Sequence, residues 1–139
     1  MEDLSLHILD IVENSIVAQA KKIEISIIEN IKEDLLTVKI KDDGKGMDEE
    51  MIKKSLDPFF TTKTTKKVGL GLPLLAQAAE ESGGKLEIES EVGKGTTIMA
   101  TFKLSHPDRR PLGNMKETMK ILTVAHPEIK FIFEHKKSE

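Results

Sequence analysis

At Lys21 and Lys22 the spacing of apolar residues changes from three and four to two, and few chain arrangements accommodate that change. Before it, Leu4, Ile8, Leu9, Ile11, Val12, Ile16 and Ala20 recur at the interval that lines one side of a helix, so Leu4 to Ala20 predicts an amphipathic helix. After it, Ile23, Ile25 and Ile27 alternate with Glu24 and Ser26, as in a strand with one dry face. Leu36, Val38 and Ile40 repeat the alternation beyond a polar turn at Lys32 to Asp34, which predicts a hairpin.

The same reading continues along the chain. Asp48 is placed to cap a short helix reaching about Leu56, and Asp57 to Gly71 has no hydrophobic period and reads as a loop. Leu72 to Ser82 predicts a helix, with Pro73 in its first turn and Gly83-Gly84 at its end. Lys85 to Glu91 and Thr96 to Leu104 alternate as a second hairpin around Gly93 to Gly95. Met115 to Val124 reads as a helix and Ile129 to Phe133 as a short strand. Strand pairs interleaved with helices predict an α+β two-layer sandwich: a mixed, mostly antiparallel sheet with helices on one face.

Several function classes fall away on composition. The 139 residues suit one compact domain, and no apolar run approaches the roughly 20 residues of a membrane span. The acidic, amphipathic start does not resemble a signal peptide, so a cytoplasmic protein is expected. No cysteine is present, which removes disulfides, thiolate metal sites and cysteine nucleophiles. A net charge of −3 and 4% aromatic residues offer neither the basic field nor the stacking surface of a nucleic-acid binder.

Three stretches carry chemistry. His7, Asp10 and Asn14 line up on the polar side of the first helix, either as a ligand-facing stripe or simply as its wet face. Asp42-Asp43-Gly44-Lys45-Gly46 follows a strand, where glycines permit close approach of a ligand and a carboxylate can accept its protons; a bare capped turn is the alternative. An EF-hand is excluded because Gly44 and Gly46 stand where oxygen ligands are needed. Gly69-Leu70-Gly71-Leu72 precedes a helix whose free amides suit phosphate, yet it lacks the third small residue of a dinucleotide fingerprint, and the chain has no P-loop.

Taken in order, the motifs resemble those of the Bergerat-fold (GHKL) ATPases. Leu9 to Ala20 is similar to their N box, Asp42 to Gly46 to the Asp-x-Gly-x-Gly box, and Asp57 to Lys63 to the Phe box of histidine kinases. Gly69 to Leu72 and Gly93 to Thr97 are similar to the second glycine box and the closing Gly-Thr strand. The resemblance implies the Bergerat ATP-binding fold over residues 1–104, with ATP and Mg²⁺ as cofactors; residues 105–139 run beyond the family's usual end and are expected to form a helix-strand extension packed on the same domain. It implies that Asn14 reaches the metal bound to the ATP phosphates, that Asp42 accepts the adenine amino proton, and that Gly44 and Gly46 make room for the purine. Gly69, Leu70, Gly71 and Leu72 would present amides to the phosphates, Met47, Phe60 and Lys63 would line the nucleotide, and Thr97 would support Asp42. Lys66 or Lys67 would assist Lys63 from the loop. Asp10 stands where the hydrolysing members carry a glutamate general base, one methylene shorter.

About eight residues precede the N box, so the phosphoacceptor hairpin of a sensor kinase is not expected, and His7 shares a helix with Asn14 and cannot replace it. The resemblance therefore implies a stand-alone regulatory kinase acting on a protein partner, as the anti-sigma serine kinases do, or a partner-dependent phosphotransfer module without its own phosphoacceptor domain. Alternatives are an ATP-dependent binding switch without transfer, or a slow ATPase. Neither nucleic acid nor membrane is expected as a partner.

Overall fold

The structure, a computed structural model, describes residues 3–57, 71–106, 109 and 112–138. Helix α1 (Leu4–Val17) starts at Asp3, whose side chain accepts from the Leu6 amide at 3.3 Å. It buries Leu4, Ile8, Ile11 and Val12. The helix ends at Val17 rather than at Ala20, because Gln19 adopts a φ of 65° and turns the chain. Ala20 is still buried, at the foot of the next strand.

Strands β1 (Lys22–Asn30) and β2 (Leu35–Asp42) form the first antiparallel hairpin, with Ile25 opposite Ile40 and Ile27 opposite Val38. Helix α2 (Glu49–Ser55) buries none of its residues. It is held instead by its ends: Asp48 accepts from the Met51 amide at 2.8 Å, Glu49 and Glu50 occupy the first turn, and Lys53 and Lys54 the last, each sign matching the helix dipole. Helix α3 (Gly71–Glu81) then leads into the second hairpin, β3 (Lys85–Glu91) and β4 (Gly95–Lys103). Helix α4 (Met115–Ala125) and strand β5 (Lys130–Ser138) close the chain.

The five strands stand in the order β3-β4-β2-β1-β5. All neighbours are antiparallel except β1 and β5, which run parallel from Lys22 opposite Lys130 to Asn30 opposite Ser138. β5 thus extends beyond the expected Phe133, because its polar half is held by backbone pairing to β1 and needs no apolar alternation. Ile23, Ile25, Ile27, Leu36, Val38, Ile40, Ile98, Ala100 and Phe102 turn to the helix side of the sheet and are buried. Leu72, Leu75, Ala78 and Ala79 of α3 and Met115, Met119 and Leu122 of α4 complete one core with α1. At roughly 1.5–3 kcal/mol for each large apolar side chain, this face dominates the stability of the layers.

One expectation for α1 is corrected. His7 is not on the wet side: it is 2% exposed, because the start of α3 lies against that side of α1.

Candidate functional site

Period-two alternation carries Asp42, the last residue of β2, to the same inward side as Leu36, Val38 and Ile40, and only 8% of it is exposed. A carboxylate at that depth needs donors. Ser15 of α1 donates its hydroxyl to Asp42 Oδ2 at 2.6 Å, and the Gly44 amide donates to Oδ1 at 2.8 Å. Each carboxylate oxygen accepts more than one bond, so these contacts orient Asp42 and leave it able to accept from a ligand.

The loop after Asp42 is fastened at both sides. Its Lys45 amide donates to the Ala18 carbonyl at 3.0 Å, and its Lys45 carbonyl accepts from the Gly93 amide at 2.6 Å. A Cβ at Gly44 would stand 2.8 Å from the Ala18 carbonyl oxygen, and one at Gly46, whose φ is 75°, would collide with the Glu91 carbonyl. Close packing of the loop on α1 and β3 therefore requires both glycines. Asp43 turns the other way and accepts from the Lys21 and Lys22 amides at 2.8 and 3.0 Å. Those bonds, Lys22 first, hold its carboxyl below the usual carboxylate range.

Across β4 it is Thr96, not Thr97, that stands in register with Asp42. Thr96 is 9% exposed, whereas Thr97 pairs with Lys41 and faces the opposite side of the sheet. The Thr96 hydroxyl lies 2.8 Å from Ser90 Oγ, which also accepts from the Met47 amide at 2.7 Å and contacts the Gly95 carbonyl at 2.9 Å. Ser15, Ser90 and Thr96 were not singled out from the sequence. The alternation that turns Ile98, Ala100 and Phe102 inward carries Thr96 with them and was the available signal.

Along α1, Asn14 is half-buried beside Ser15 and Asp10 lies one turn earlier at the surface. Gly71 begins α3 directly against that turn: a Cβ there would stand 2.6 Å from Asp10 Cβ and 3.2 Å from the His7 carbonyl oxygen. The contacts at Ser15 and at Asp10 are about 7.5 Å apart along the helix axis. α1 thereby touches Asp42 through Ser15 and the first residue of α3 through His7, Asp10 and Ile11. Leu72 sends its side chain into the core, so only its backbone is available to a ligand. Phe60, Lys63, Lys66, Lys67, Gly69 and Leu70 lie outside the described residues. Among the described residues no cluster of three or more His, Asp or Glu side chains is arranged to hold a metal, and no helix is long and apolar enough to cross a membrane.

Fold and site together define an ATP-binding domain of the histidine-kinase type. The chain matches the family of histidine kinase-, DNA gyrase B- and HSP90-like ATPases over residues 2–106 and belongs to it. Sporulation kinase C of Bacillus subtilis is 35% identical over 96 residues, covering 69% of this chain and 22% of that protein. A probable C4-dicarboxylate sensor kinase of Halalkalibacterium halodurans is 33% identical over 114 residues, covering 78% and 20%. The chain spans about a fifth of the length of these curated relatives. The crystal structure of an N-terminal domain of a DNA repair protein shares the fold, with a TM-score of 0.61 and 20% identity over 99% of this chain and 50% of that one.

Proposed function

We propose that the chain binds MgATP and passes its γ-phosphoryl group to a protein partner, as a regulatory kinase or phosphotransfer module. The observation that carries the reading is Asp42, buried at a strand end, oriented by Ser15 and Gly44, and left with acceptor capacity for an adenine amino group. Bound Mg²⁺ supplies charge neutralisation at the phosphates, and the Asn14 side-chain oxygen is the ligand this chain offers that hard ion. The amides of Gly71 and Leu72, at the entry to α3, are proposed to meet the phosphates, and Gly69, Leu70 and Lys63 of the sequence are proposed for the same role. Met47 and Phe60 line the nucleotide. In this reading residues 1–104 are the nucleotide domain, residues 105–139 an extension packed on it, and the setting cytoplasmic.

Phosphoryl transfer asks for positioning and electrostatic stabilisation more than covalent chemistry. Buried His7 is poorly placed to receive the group, and this reading puts the acceptor on a protein partner. Asp10, one turn before Asn14, is the residue of this chain placed to take a proton from the attacking group.

The competing reading is an ATP-dependent binding switch without transfer. Its supporting observation is the short Asp10 side chain at the position of a catalytic glutamate. Asp10→Asn separates the two. A transfer enzyme keeps its ATP affinity and loses turnover by about 10²-fold or more, read as phosphate release or partner labelling; unchanged turnover sinks the general-base assignment.

A further inference from the structure

β5 is an edge strand: β1 flanks it on one side, and no described strand pairs with the other. The Lys130 amide donates to the Lys21 carbonyl at 2.9 Å, and the Ser138 carbonyl accepts from the Ile31 amide at 3.0 Å, so even-numbered residues direct their backbone groups at β1. By the alternation of a parallel pair, the N–H and C=O groups of Phe131, Phe133 and His135 point outward, a row of unmet donors and acceptors typical of an exposed edge. Phe131 and Phe133 are half-buried against the core side, while Ile132 is 36% exposed on the open face between Lys130 and Glu134.

We propose that this edge is a homodimer interface, with β5 of a second copy pairing antiparallel about a two-fold axis at Ile132. In that register Phe131 of each copy lies opposite Phe133 of the other, and both residues carry outward backbone groups, as the hydrogen-bonded positions of an antiparallel ladder require. Ile132 meets its own copy at the non-hydrogen-bonded position, with Cα atoms about 4.5 Å apart. On the same face Lys130 lies opposite Glu134 on both sides of the axis. Glu134 is already held on that face by the Ser26 hydroxyl at 3.1 Å.

Charge and apolar matching together favour this register: an axis at His135 also sets Glu134 opposite Lys136 but leaves Ile132 and Phe133 opposite Ser138 and Lys137. An axis at Phe133 sets Lys130 against Lys136, an axis at Glu134 sets that carboxylate against itself, and a one-residue slip sends side chains to the wrong faces. The opposite edge behaves differently: two-fold pairing of β3 about Glu87, Ile88 or Glu89 places carboxylate against carboxylate. α4, which contacts β5, leaves Ile121 and Val124 at 56% and 74% exposure. The contact is isologous and closes at two copies.

Sedimentation velocity on the 139-residue chain tests the proposal with wild type, Lys130→Glu, Glu134→Lys, the double charge swap and Ile132→Lys, each checked for unchanged circular dichroism. The wild type is expected to dimerise, each single charge variant to weaken the dimer at least tenfold, the double swap to restore it, and Ile132→Lys to sediment as monomer. A monomeric wild type at the highest concentration reached, a dimer indifferent to Lys130→Glu and Ile132→Lys, or a double swap no tighter than the single variants would overturn it.

Discussion

Ser15 Oγ lies 2.6 Å from Asp42 Oδ2, a bond that joins the last turn of α1 to the end of β2 across 27 residues of sequence. Ser15 thereby ties the turn that carries Asn14 to the carboxylate proposed for adenine. Ser15→Ala leaves a buried carboxylate with one donor fewer, which costs about 1–3 kcal/mol. Urea unfolding should show that loss, and nucleotide titration a weaker complex; an unchanged midpoint together with an unchanged affinity would mean the bond neither holds the fold nor orients Asp42.

Gly71 marks where α3 meets α1, and an added methyl group has Asp10 Cβ in its way at 2.6 Å. Relief requires moving one helix off the other, so Gly71→Ala is expected to destabilise the domain by about 1–3 kcal/mol, as overpacked sites do. The variant should also weaken ATP binding more than Gly93→Ala weakens it. A Cβ at Gly93 would meet nothing within 4 Å, but the φ of 84° means that its substitution strains the turn without displacing a helix. Equal affinities for the two variants would separate the helix contact from the site.

The acid limb of stability should depend on Asp43. Amide bonds from Lys22 and Lys21 lower its folded-state pKa. Stabilisation from this group is therefore present above the usual carboxylate range and is lost as pH falls through the lowered value. Asp34, lowered chiefly by the Ser105 hydroxyl, acts in the same direction. Asp43→Asn keeps an acceptor oxygen but cannot titrate, so its urea midpoint should fall less than that of wild type between neutral pH and about pH 3. Parallel pH profiles for the two proteins would remove Asp43 from the account.

Much of the architecture was legible because two periods dominate it. Leu4 to Ile16 at helical spacing and Ile23 to Ile27, Leu36 to Ile40 and Ile98 to Phe102 at strand spacing specify which side of each element is dry, and the core assembles from those sides. The same alternation carried Asp42 inward. What the periods do not encode is which elements meet. His7 looks polar and solvated until α3 is laid against it, and Gly44, Gly46 and Gly71 look like generic loop glycines until the backbone or helix each one abuts is known. Thr96 and Thr97 are chemically identical neighbours, separable only by strand register. The parallel partner of β5 lies about a hundred residues away in sequence and is invisible to any local pattern.

The most direct test of the central claim is calorimetric titration of wild type and Asp42→Ala with a non-hydrolysable ATP analogue and Mg²⁺, with the matching GTP analogue as control. A hydrogen bond to a charged acceptor contributes about 1.5–3 kcal/mol, so the account predicts that wild type prefers the adenine analogue and that Asp42→Ala loses about 10- to 150-fold in its affinity. Binding of the adenine analogue with equal affinity by both proteins, or equal affinity of wild type for both bases, would contradict it.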